Sequence, residues 1–200
     1  MGRKPVDKKR TGDPAQRAKW VEILMPKYLS GELLKTTMDK IAKLLGVSKA
    51  KLYRHFSSSR EIIAEVVRCK VLKISSFEEA LFNEKIPFEQ RYEEAVQVAS
   101  FHMAGISPHF LLELKEKYPD LWQQIDDFVV LVTERFTEFY ESGIQQGILK
   151  EFSPKFLALT DKIFITALSD PQFLIDNQLS LQHSLNEYFA IKGKGIFKTT

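Results

Sequence analysis

Between Thr37 and Phe56 the apolar residues recur at helical spacing on both sides of one glycine, and few folds accommodate that arrangement. After a Thr37 cap, Met38, Ile41, Ala42 and Leu45 recur at i, i+3, i+4 and i+7, the pattern of a helix with one buried face. Gly46 then supplies the left-handed residue that ends such a helix. Ser48 caps the next helix, and Val47 is placed to staple against Leu52. Two short helices about a glycine turn make a helix-turn-helix. At ~100° per residue, Leu52 and Phe56 mark the buried face of the second helix and are expected to pack on Ile41 and Leu45. Ala50, Lys51 and Arg54 then point away, Tyr53 and His55 take the flanks, and Lys49 lies in the first turn.

The flanking segments extend the same grammar. Residues 1–12 are basic and turn-rich and read as a flexible arm. Asp13 followed by Pro14 opens a helix, with Trp20, Ile23, Leu24 and Tyr28 as its apolar face. Pro26 predicts a kink or an end near Met25. Ser58 or Ser59 caps a fourth helix through Ile74. No period-2 strand is evident, so the fold expected is all-α, with a helix-turn-helix head over 13–73 and a larger helical body over 74–200. Prolines divide the body into helices near 88–105, 108–117, 120–146, 154–169 and 172–191, and "IKGKGIFKTT" reads as a helix stop and frayed tail. Fourteen of the fifteen Phe fall in the body.

Charge separates the same two regions. Residues 1–73 hold 18 Lys and Arg against 7 Asp and Glu, and the remainder holds 11 against 19. A basic first third on an acidic body suits a polyanion partner for the head alone. The single Cys69 allows no internal disulfide and has no metal-ligand spacing with the four His, which fits a reducing cytoplasm. No apolar segment follows the basic start, Val6 breaks the myristoylation pattern, and "FVVLV" is too short to span a bilayer. Neither a signal peptide nor a membrane partner is expected.

DNA recognition needs the division seen in the second short helix. Phosphate contacts set position, and a few side chains reach base edges. Arg54 and Lys51 suit guanine O6 and N7, and Ala50 allows close approach or contact with a thymine methyl. The hydroxyls of Tyr53, Ser48 and Thr37 suit phosphate. A solvated basic helix on a generic bundle is the competing reading. The stretch "TTMDKIAKLLGVSKAKLYRHFSSSREII" decides between them, because it resembles the DNA-binding signature of the TetR family of bacterial transcriptional regulators. The shared pattern comprises Thr36-Thr37, Ile41-Ala42, Gly46-Val47-Ser48, Leu52-Tyr53, His55-Phe56 and Ile62. "GIQQGIL" at 143–149 is similar to the Gly-rich end of the long body helix in many members.

That resemblance implies a homodimer of nine- or ten-helix chains, most often a repressor, on double-stranded DNA, with a body that usually binds a small ligand. Carried over by position, its DNA contacts fall on Thr37, Lys49, Ala50, Lys51, Tyr53 and His55. Three departures stand out: Ser59 replaces a usual Lys, leaving Arg60 for phosphate; Asp39 occupies a position where a cation is common; and "YLSGELLK" is one residue longer than usual.

In the body, Leu121, Ile125, Phe128, Val132, Phe136 and Phe139 form a stripe at helical spacing, widened by Trp122, Val129 and Tyr140. Phe101, His102, Phe110, Trp122, Phe128 and Phe136 are the candidate lining of a largely apolar effector pocket, although such a stripe serves equally as core. Phe156, Ile163, Phe164, Ala167, Leu181 and Leu185 are the candidate dimer face. No Gly-rich phosphate loop, paired His and carboxylate motif or nucleophile elbow is present. Adjacent acids such as Asp126 and Asp127 diverge by ~100° on a helix. Neither catalysis, a cofactor nor a metal is expected. Besides the ligand-responsive regulator stands a second reading, a DNA-bound adaptor whose body grips another protein.

Overall fold

A computed structural model describes residues 12–198. The described residues fold into eleven helices with no strand. They are α1 (Pro14–Leu29), α2 (Met38–Leu44), α3 (Lys49–His55), α4 (Ser59–Ser75), α5 (Phe77–Leu81), α6 (Phe88–Met103), α7 (Pro108–Lys117), α8 (Pro119–Gln145), α9 (Pro154–Ser169), α10 (Pro171–Asp176) and α11 (Leu181–Ile196). The expected basic arm lies outside the described residues except for Gly12.

Local chemistry starts these helices where the sequence predicts. The first free amides are taken by Asp13 for α1 (3.0 Å), Ser48 for α3 (3.2 Å) and Ser58 for α4 (3.3 Å), with Thr37 serving α2. Gly46 adopts φ 66° at the turn between α2 and α3, where a Cβ would be strained. Glu61 completes a reciprocal cap at α4 by accepting from the Ser57 amide at 2.6 Å.

Pro26 does not end α1, which continues to Leu29. The bond it cannot donate would go to Glu22, and both residues are exposed, so the free carbonyl is open to solvent. Val21, Leu24, Met25, Tyr28 and Leu29 are buried on both sides of the proline and hold the helix together. Ile23, placed on the apolar face by periodicity, is 47% exposed; Val21 and Met25 take that face instead.

The body departs from its expected outline at its end. The helix expected over 172–191 is two, α10 and α11, separated by a turn in which Gln178 has φ 54°. The tail is pinned rather than frayed. Lys150 N donates to Ile196 O at 2.8 Å and Lys198 N to Ile148 O at 3.1 Å, around a bridge between Leu149 and Phe197. Gly147 (φ 71°) turns the chain there, while buried Gly143 admits Leu149 and Phe88 so closely that a Cβ would lie 2.7 Å from both.

Two apolar clusters form the core. One fills the body around Tyr92, Phe136, Phe139 and Tyr140. The other is centred on the head but takes in Phe110, Leu114 and Leu121 from α7 and α8, so packing crosses the boundary drawn at residue 73. Ser107 N also donates to Leu29 O at 2.8 Å. Head and body therefore share a wall, and α4 runs along it. No helix among the described residues is long and apolar enough to cross a membrane, and no group of three potential metal ligands occurs among them.

Candidate nucleic-acid interface and body cavity

Helix α3 is anchored by Leu52 and Phe56, both with no exposed surface, over buried Ile41 and half-buried Leu45. Ser48, Lys49, Ala50, Lys51, Tyr53 and Arg54 are exposed, as is Thr37 at the start of α2. An apolar anchor thus carries a short outward row of two cations with no ion-pair partner among the described residues, a phenol, a methyl and hydroxyls. Such a row is able to contact both phosphates and base edges.

His55 belongs to the other side. Its ring is 8% exposed and meets Trp20 edge-on at 4.7 Å, because residues 52 and 55 share a helix face. The expectation that His55 contacts DNA is corrected to a core position. Its backbone carbonyl accepts from Arg17, whose guanidinium also lies 4.5 Å from the Phe56 ring centre and pairs with Glu61 (2.8 Å) and Glu65 (3.0 Å). Burial alone would raise the Glu61 carboxyl. The Ser57 amide and hydroxyl together with Arg17 outweigh it and hold that carboxyl below its ordinary value. Arg17 thereby clamps α1 to α4 and to the end of α3. Sequence reasoning missed it, since its partners are 38 to 48 residues away.

Two other candidate contacts already have partners. Lys49 Nζ lies 2.7 Å from Asp39 across the turn, so the unusual acid on α2 occupies a cation of α3. Arg60 pairs with Asp120 at the start of α8. Both pairs are well exposed, and exposed pairs exchange partners at little cost.

The body contains an apolar cavity of about 80 Å³, with a smaller one of about 30 Å³ against it. Phe110 and Phe128 line the first, Phe128 and Phe136 the second. Phe101 does not: it is 71% exposed at the last turn of α6. His102 beside it and half-buried Trp122 also lie off both linings. Leu181 and Leu185, expected on a dimer face, turn inward and line the larger cavity. Residues no pattern singled out complete the wall, notably Val67, Lys70, Val71 and Ile74 of α4.

On α9 the remaining dimer candidates separate. Phe156 and Ile163 are each 61% exposed, and with Phe152 and Leu159 they form an outward apolar stripe. Phe164 is half-buried and stacks on Tyr188 at 4.0 Å, and Ala167 is half-buried. Beneath the stripe, fully buried Asp161 accepts from Tyr140 (2.7 Å), Tyr188 (2.9 Å) and Lys192. Every partner comes from another helix or turn, so α8, α9 and α11 are fixed to one another.

Residues 33–66 match the family model of bacterial regulatory proteins, tetR family. YvaF of Bacillus subtilis (strain 168), an uncharacterized HTH-type transcriptional regulator, is 22% identical over 161 residues, 80% of this chain and 85% of its own. A transcriptional regulator from Saccharomonospora viridis, solved in complex with choline, superposes with a TM-score of 0.71 at 16% identity, over 94% of this chain and 100% of that one. A TetR/AcrR-family regulator from Thermobifida fusca YX-ER1 gives 0.65 at 14% identity, over 90% and 98%. At such identities the structural likeness establishes the fold. Residues 33–66 thus match the tetR-family domain of bacterial regulatory proteins, seated in an all-helical fold that solved regulators share.

Proposed function

We propose that the protein is a dimeric, ligand-responsive repressor working in the cytoplasm, and that it reads a palindromic operator with α3 in the major groove. The observation that carries this reading is the division of α3 into a buried Leu52 and Phe56 and an exposed Lys51, Tyr53 and Arg54. Arg54 and Lys51 take the base edges, with Ala50 against a thymine methyl. Thr37, Ser48, Lys49 and Tyr53 take phosphates. Arg60 joins them by exchanging Asp120 for phosphate.

The exposed stripe Phe152, Phe156, Leu159 and Ile163 supports dimerisation, since an apolar row of this length is costly to leave in water. Two-fold pairing then sets two reading helices on half-sites about 34–36 Å apart or a related spacing. The cavity supports an effector role through its apolar lining. At about 80 Å³ it holds less than the engineered 150 Å³ cavity that admits benzene. A larger ligand must therefore spread its walls, one of which is α4, the helix that follows α3. Binding to the spread form draws the population away from the DNA-binding form in proportion to its preference between the two.

Ile163→Asp tests the assembly without touching the core. Wild type should sediment as a dimer and retain a two-half-site duplex selected from a random pool. The variant should sediment as a monomer and bind that duplex at least about 100-fold more weakly, a loss near 2.7 kcal/mol. A variant that remains dimeric would place the interface elsewhere. A monomeric variant with unchanged affinity would remove dimeric reading altogether.

A further inference from the structure

The larger cavity and the smaller one against it are lobes of one elongated space. Ile74, Met103, Phe128, Ile165 and Leu185 line both. Three helices pass the lobes in step. Along α8 the lining runs from Ile125 and Val129 in the larger lobe to Val132 and Phe136 in the smaller. Along α6 it runs from Met103 back to Ala95, and along α11 from Leu181 to Phe189. The rise from Ile125 to Phe136 is about 16 Å. Met103 and Phe128 stand where the lobes meet, with Phe128 edge-on to Phe77 of the smaller lobe at 6.4 Å. Methionine has three rotatable bonds and adapts its shape, so this partition yields to a ligand that reaches across it. No polar atom faces the space. Lys70 and Ser169 reach its wall with carbon alone. The Lys70 ammonium turns to the Ala104 carbonyl at 3.4 Å, and the Ser169 hydroxyl donates to the Ile165 carbonyl at 2.9 Å.

A carboxylate, ammonium or hydroxyl brought into such a space gives up its water and meets no partner. A methylene group gains by leaving water and asks for none. The lobes hold about 80 and 30 Å³, so a ligand's bulk has to be spread along the space rather than gathered at one point. A ligand confined to the larger lobe forgoes the contacts of the smaller. Resting on the effector reading above, we propose that the two lobes together take a neutral, slender, unbranched hydrocarbon, laid along α8 and across Met103 and Phe128. The pair of lobes reads its length, and the wall rejects charge.

The test titrates the full chain with n-butylbenzene, tert-butylbenzene, 4-phenylbutanoate and 4-phenylbutylammonium, and follows the methyl NMR signal of Met103. Wild type should bind n-butylbenzene about tenfold or more tightly than each of the other three. Ala99→Leu fills the smaller lobe, which Ala99 lines, and should abolish the preference for the straight chain over the branched one. Toluene, which lacks the chain, should bind Ala99→Leu as it binds wild type. The ranking on wild type stands or falls without that variant. Equal binding of the straight and branched isomers to wild type, or a preference surviving in Ala99→Leu, would overturn the two-lobed site. Equal binding of the carboxylate or the ammonium would overturn the neutral assignment. Either result leaves the effector cavity standing. If none of the probes binds wild type or the enlarged Phe128→Ala cavity, the effector reading falls and takes the hydrocarbon assignment with it.

Discussion

On α3 the cations stand in water and the apolar residues face the core, whereas the body cavity is walled by apolar surface alone. Lys51 and Arg54 can take whatever anion arrives, which suits a polyanion whose phosphates are met in many registers and whose binding weakens steeply with salt. The cavity offers no exposed charge of that kind. The two sites also differ in what holds them. The reading helix is set by caps within a few residues of it. The cavity is walled by residues of seven helices drawn from across the chain. Between them runs α4, clamped to the head by Arg17 and forming the cavity wall with Val67 and Ile74.

The contrast can be strained from either side. The largest effect should come from Gly143→Ala, because the new methyl meets Leu149 and Phe88 at 2.7 Å in the packed end of α8. Overpacking of this kind costs about 1–3 kcal/mol, read as a lower urea midpoint at unchanged slope. An unchanged midpoint would show that the body core yields more easily than its contacts imply.

Arg17→Met should cost roughly 2 kcal/mol at neutral pH by leaving two partly buried carboxylates without their shared cation. It should also change the acid limb of stability. Glu61 and Glu65 are held below their ordinary value of 4.5, so their contribution is complete above that pH and is lost as pH falls through the folded values. The variant has less to lose, and its stability should fall less steeply below pH 4.5. Parallel acid limbs would mean that Ser57 and Arg68, not Arg17, hold the carboxylates.

A smaller change is expected from Asp39→Asn, which frees Lys49 from its 2.7 Å partner. Affinity for any duplex should rise a few-fold, under about 1 kcal/mol, with a steeper dependence on salt. Asp39→Asn combined with Lys49→Met should cancel the steeper slope; a slope that stays steep would exclude Lys49 from phosphate contact. Smallest of all, Gln178→Gly relieves a left-handed residue and should shift stability by less than about 1 kcal/mol, without altering DNA binding.

The head was legible because its instructions are local. Asp13, Thr37, Ser48 and Ser58 each cap a helix a few residues away, and Gly46 turns where only a glycine turns freely. What escaped was whatever depends on the neighbour across the fold. His55 occupies a flank by periodicity, yet Trp20 on another helix buries it. Pro26 carries a strong breaking signal, but the cluster around Tyr28 overrides it. Phe101 and Leu185 exchange their expected surroundings because the pattern gives a helical face without saying what covers it.

Selection from a random-sequence duplex pool by wild type and by Arg54→Ala tests most directly whether α3 is a dimeric sequence reader. Wild type should recover a palindrome with half-sites about one DNA turn apart. Arg54→Ala should bind it about 1–3 kcal/mol more weakly and relax one symmetric base position while leaving random duplex nearly unaffected. Retention without any motif, or an equal loss on selected and random duplex, would contradict base reading by α3 and leave a basic surface that holds DNA of any sequence.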